Sequence, residues 1–148
     1  MKRIHEGMLL ALATAAVAGC SSDSTGLSIP DIVGTWHATK FEFVATANSS
    51  TKTDVVALGG VATVVLRADA TFTITLTAPG QQPIVSSGSY SETATTLTII
   101  ITSETPTQTV TFTMDVSGST MSLTGGVATF DFGSGDVPAF VNLTLVKS

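Results

Sequence analysis

Between residues 71 and 124 the chain repeatedly alternates threonine or serine with a large apolar residue, and this period of two restricts the fold more than any other feature. "TFTITLT" (71–77) sets Phe72, Ile74 and Leu76 on one side and four threonines on the other. "TLTIIIT" (96–102) does the same with Leu97, Ile99 and Ile101, and "TVTFTMDV" (109–116) with Val110, Phe112, Met114 and Val116. Successive side chains of a strand point to opposite faces, so these segments read as half-buried antiparallel strands. β-Branched residues, stiff at their first torsion, suit such a pleat. Further strands are expected at 34–45, 61–67, 84–91, 120–124, 127–132 and 139–147. Turn residues separate them, as in Ala78-Pro79-Gly80 and Ser117-Gly118-Ser119. After residue 19 no stretch carries a helical period. The expected fold is all-β: an up-and-down antiparallel β-barrel of about eight strands, which hides both sheet edges. The alternative is a β-sandwich, but its crossovers need several long connections, and here only residues 46–60 form one.

The N-terminus carries a different signal. Lys2 and Arg3 precede the apolar run "MLLALATAAVA" (8–18), the pattern of a secretory signal peptide over residues 1–19. Eleven apolar residues fall short of the roughly 20 that span a bilayer as a helix. The run ends in Val17-Ala18-Gly19-Cys20, which resembles the bacterial lipobox. That resemblance implies cleavage before Cys20, a diacylglyceryl thioether on its thiol and acylation of the new amine. Two or three acyl chains give stable membrane anchoring where one does not. It also accounts for a sole cysteine with no partner. Ser21 stands where an aspartate would mark inner-membrane retention, so the implied location is the cell envelope, and the outer membrane in a Gram-negative host. Residues 20–30 read as a flexible tether after the lipidated cysteine, and residues 31–148 as the single folded domain.

Past residue 19 the chain keeps four basic side chains (Lys40, Lys52, Arg67, Lys147) against ten acidic ones, a net charge of −6. Nucleic acid as a partner is excluded by that balance, since phosphates demand clustered Lys and Arg. A polybasic membrane patch is excluded on the same ground.

The domain opens "DIVGTWHATKFEF" (31–43), and its Gly34-x-Trp36 resembles the first motif of the lipocalins and their short bacterial lipocalin-like relatives. "VVLRADATFTI" (64–74), "SGSYSETATTLTI" (87–99) and "DVSGSTMSLT" (115–124) resemble later strand–turn–strand pieces of those relatives. The resemblance implies that Gly34 lets the strand bend and that Trp36 plugs the narrow end of the barrel. In that family a basic residue covers the tryptophan, a place open to Arg67 or Lys147. The helix that full-length lipocalins carry before the last strand has no counterpart, because residues 132–139 are too short and too rich in Gly and Pro.

Catalytic chemistry finds little to work with. His37 is the one histidine beyond residue 19 and reads as a surface or barrel-end residue, and no free cysteine is left as a nucleophile. One histidine does not make a zinc site. "FDFGSGDV" (130–137) reads as a turn rather than a calcium loop, and nothing aligns Glu42, Glu104 and Asp115 as a carboxylate pair. The expectation is a non-enzymatic protein with no metal and no cofactor. Two functions remain. One is a membrane-anchored module binding a small apolar ligand in the lumen, with Phe41, Phe43, Phe72, Ile74, Tyr90, Phe112 and Met114 as candidate contacts. The other is a structural or protein-interaction module with a filled barrel. Residues 46–60, with Gly59-Gly60 as a hinge, are the expected lid.

Overall fold

A computed structural model describes residues 30–148; the expected signal peptide, Cys20 and all of the tether but Pro30 lie outside the described residues. Within them run nine strands: β1 (Gly34–Ala45), β2 (Lys52–Asp54), β3 (Val61–Leu66), β4 (Thr71–Thr77), β5 (Ile84–Glu92), β6 (Thr96–Ile101), β7 (Gln108–Ser117), β8 (Thr120–Asp131) and β9 (Asp136–Lys147). From β3 onward each strand pairs antiparallel with the next. β9 then pairs with β1 from Trp36↔Lys147 to Ala45↔Ala139, which closes the sheet. The molecule is a closed eight-stranded antiparallel barrel with β2 as an extra strand, and the sandwich alternative is set aside.

β1 has two neighbours on its other side. Its first half pairs with β3 (Gly34↔Leu66 to His37↔Thr63), and its second half pairs with β2 (Glu42↔Asp54 to Val44↔Lys52). The connection 46–60 is therefore no loose flap, contrary to the expectation of a lid. Asp54 Oδ1 accepts hydrogen bonds from the amides of Phe41 (3.2 Å), Val56 (3.0 Å) and Ala57 (3.3 Å). Val55 is buried, its amide donates to the Phe41 carbonyl, and its own carbonyl accepts from Gly60 at 2.8 Å. Gly60 is thus packed against Val55, while Gly59 is exposed.

Two bulges shift the inward phase. One falls between Ala38 and Lys40, so Trp36 and Phe41 both point inward although five residues apart. The other falls between Leu123 and Gly126. It joins into one strand, β8, what the alternation divides at 124–127. Both bulges flank β9, whose Ala139, Val141, Leu143 and Leu145 turn inward without a break.

The end of the barrel where β1 begins is solid. Trp36, Ile32, Leu66, Phe72, Leu97, Met121 and Leu145 are each less than 2% exposed. Trp36 Nε1 donates to the Ile32 carbonyl at 2.8 Å, so the residues just before β1 close the bottom. Lys147 Nζ lies 5.4 Å from the centroid of the tryptophan ring, within cation–π range. Its side chain passes beside Gly34, whose φ of +143° disfavours any side chain and whose Cβ, if present, would stand 2.7 Å from Lys147 Cε. Tyr90 completes this end, its hydroxyl donating to the Arg67 carbonyl at 2.8 Å.

One polar atom at the same end has no partner: Glu92 Oε2 is buried and makes no hydrogen bond. Burial, and after it the charge of Asp31, raises the Glu92 pKa above its ordinary value of 4.5. A carboxyl with a raised native pKa binds more protons folded than unfolded, so stability falls as pH climbs through that interval. Above it the full cost of holding the ionised group persists. Glu92→Gln is expected to raise the free energy of unfolding at pH 7 by about 1 kcal/mol. The gain should vanish below about pH 4, where the carboxyl is protonated in both states. Urea titrations at the two pH values measure both; an equal gain at both would exclude ionisation as the cause.

Candidate functional site

The other end of the barrel, where β1 finishes and β9 starts, encloses a cavity of ≈ 320 Å³. Phe41 and Phe43 from β1, Ile74 and Leu76 from β4, Phe112 from β7 and Phe130 from β8 form much of its wall, completed by aliphatic residues of β6, β7 and β9. Phe41 and Phe43 stack with centroids 5.1 Å apart, Phe43 stacks on Phe130 at 4.1 Å, and Phe132 meets Phe130 edge-on at 4.8 Å. Phe41, Phe43 and Phe130 thus line one side of the mouth, and Phe132 backs Phe130 from outside the lining. They meet across β9 because the residues between them are small: Ala45, Ala139 and Ala128 stand abreast on β1, β9 and β8. Gly126 serves the same end lower down, since a Cβ there would collide with the Phe112 ring.

Of the candidate contacts read from the sequence, Phe41, Phe43, Ile74 and Phe112 line this cavity. Phe72, Tyr90 and Met114 do not; they are buried in the closed half, beside the turns at that end. Trp36 is buried there too, at the bottom of the barrel. His37 faces outward, its Nδ1 3.4 Å from the Thr63 hydroxyl. Residues 131–136 form a turn in which Asp131 Oδ1 accepts from the amides of Gly133 (2.7 Å) and Gly135 (2.8 Å). The amides of Gly135 and then Gly133 hold the Asp131 pKa below the ordinary carboxylate value. Among the described residues no group of three His, Cys, Asp or Glu is placed to hold a metal ion.

The polar residues lining the cavity are Ser86, Glu104 and Gln108 on one side and Thr129 of β8 on another. β5 pairs with β6 from Glu92↔Leu97 up to Gly88↔Ile101, where β6 ends. The β6–β7 connection (102–107) continues beside β5, with the Thr102 amide donating to the Ser87 carbonyl at 3.0 Å and the Ser103 hydroxyl accepting from the Ser87 amide at 2.9 Å. Glu104 in this connection reaches the cavity rim. Its Oε1 accepts from Ser86 Oγ at 3.0 Å and its Oε2 from Gln108 Nε2 at 3.0 Å. A second hollow of ≈ 420 Å³ adjoins the first, between the β2–β3 turn and residues 78–82, and shares Leu76, Ile84 and Phe130 with it. Leu58 (67% exposed) and Ile84 (64%) make this vestibule apolar as well. No protein-family model and no curated protein matches the chain.

Sequence reasoning missed Phe130, which sits beyond the β8 bulge, and the Ser86–Glu104–Gln108 rim. Phe130 and Phe132 in "FDF" carried a period-two signal that would have placed both rings on one face. The rim residues lie at and beyond strand ends, where alternation carries no information.

Proposed function

We propose that this protein is a bacterial lipoprotein of lipocalin-like kind, anchored in the cell envelope through acyl chains on Cys20, and that its barrel holds a small apolar ligand at the open end. The observation that carries the reading is the contrast between the two halves of the interior. One half is packed solid under Trp36, and the other keeps an apolar hollow of ≈ 320 Å³ behind a mouth. The lipocalin-like reading is supported by Gly34-x-Trp36 in the first strand and by Lys147 over the tryptophan ring. At about 30 Å³ per heavy atom the cavity suits an apolar body of roughly ten such atoms, and the adjoining hollow of ≈ 420 Å³ takes the rest of a larger one. The activity is binding, without chemistry on the ligand.

The uncharged fluorophore N-phenyl-1-naphthylamine should brighten on mixing with the protein and be displaced by decan-1-ol. Ala128→Phe projects a ring into the cavity and should abolish both effects while leaving the thermal transition within a few degrees. A wild-type protein that neither brightens the probe nor releases it to decan-1-ol would end the ligand-binding reading.

Anchoring has its own test. Ile32 is buried at the closed end, so the chain enters the barrel there, and acyl chains on Cys20 would hold that end toward the membrane. The mouth, at the opposite end of the barrel, would then face away from the membrane. Cys20→Ser should move the protein from the membrane pellet to the soluble fraction with its thermal transition unchanged. Continued pelleting of that variant would reject the anchor.

A further inference from the structure

Glu104 is the only charged side chain among the residues lining the cavity, and no Lys or Arg of the described residues joins it there. Both of its carboxylate oxygens are in use, one from Ser86 and one from Gln108, and both partners also line the cavity. Each oxygen has a second lone pair to offer a donor. The β8–β9 turn at the same end adds Asp131 and Asp136, whereas Lys40 and Lys52 share Glu42, at 3.1 and 3.9 Å, and neither lines the cavity. The basic residues Arg67 and Lys147 belong to the opposite end, beside the closed bottom. An apolar body seated among the phenyl rings therefore meets a carboxylate where it emerges.

We propose that the site selects amphiphiles with a cationic amine head over those with a carboxylate head, with alcohols between. This rests on the reading of the cavity as a ligand site and adds to it the chemistry of the head group. The ammonium donates to Glu104 at the cavity rim, beside Ser86 and Gln108, while the chain fills the apolar hollow. A fatty-acid carboxylate entering the same way faces a like charge and no cation to neutralise it. Glu104 is exposed at the rim, so the preference is moderate and is screened by salt.

The test compares three ligands of one chain length, decylammonium, decan-1-ol and decanoate, by displacement of N-phenyl-1-naphthylamine at low salt. Decylammonium is expected to bind about fivefold tighter than decan-1-ol, with decanoate weaker than both. Glu104→Gln keeps a side chain of the same shape able to bond to Ser86 and Gln108. It should remove the preference of decylammonium over decan-1-ol and strengthen decanoate relative to both, with the thermal transition unchanged. Raising the ionic strength to about 0.5 M should shrink the wild-type preference in the same direction. Equal affinity for the three ligands, or a preference that survives Glu104→Gln, overturns the head-group inference while leaving the apolar site standing. If decan-1-ol fails to bind, the ligand site itself falls and the inference falls with it.

Discussion

Trp36→Ala is expected to lower the free energy of unfolding by about 3–5 kcal/mol, the range for truncating a large buried aromatic residue. The ring is 0% exposed and stands among other residues with almost no accessible surface, so the void it leaves cannot be filled without moving the strands. Two secondary losses add to the cavity. The Ile32 carbonyl loses its donor, the indole N–H at 2.8 Å, and the side chain of Ile32 loses the surface that covers it. Lys147 is left over a hole in place of a π-face. A domain of this size is stable by roughly 5–15 kcal/mol, so the variant would forfeit a large part of its margin. Because Trp36 is the sole tryptophan, far-ultraviolet circular dichroism in urea is the readout to use. Trp36→Phe separates the contributions: it keeps most of the ring volume, loses the hydrogen bond, and should cost about 1–2 kcal/mol. A loss under 1 kcal/mol for the alanine variant would mean that the closed end is held by something other than this plug.

The reach of the sequence can be traced residue by residue. In β4, β6 and β7 the alternation is unbroken, and Phe72, Ile74, Leu76, Leu97, Ile99, Val110, Phe112 and Met114 all turn inward. Closure follows from short links between neighbours. The phase of β1 and β8 was not legible, because a bulge inserts one residue and leaves no mark on composition; Thr39 looks like any other strand threonine. The Gly125-Gly126 pair is a faint signal, since Gly125 adopts a φ of +75°. Distance from the turns is legible and separates the candidate contacts. In a meander, alternate turns share one end, and Phe72, Tyr90 and Met114 each lie within four residues of a turn at the Trp36 end. They therefore fill the bottom, while Ile74 and Leu76, further along β4, reach the cavity. Glu104 was beyond such reasoning: it lies in a connection that has no strand phase, and its place at the rim rests on its bonds to Ser86 and Gln108.

Gly126→Ala is expected to cost about 1–3 kcal/mol, the range for adding a methylene-sized group to a packed interior. The backbone at Gly126 has no positive φ, so the cost is one of space. The added Cβ would overlap the Phe112 ring, which is itself 5% exposed and forms part of the cavity wall. The ring has one way to yield, inward, into the hollow. Stability and binding should therefore fall together: the variant loses affinity for N-phenyl-1-naphthylamine as the displaced ring takes up ligand volume. A double-mutant cycle isolates this contact. Phe112→Leu removes the ring edge, and in that background Gly126→Ala should cost less by at least about 1 kcal/mol. Equal penalties in the two backgrounds would place the strain in the β8 bulge. The contact would then have no part in shaping the cavity, and the glycine would be there for the strand's bend alone.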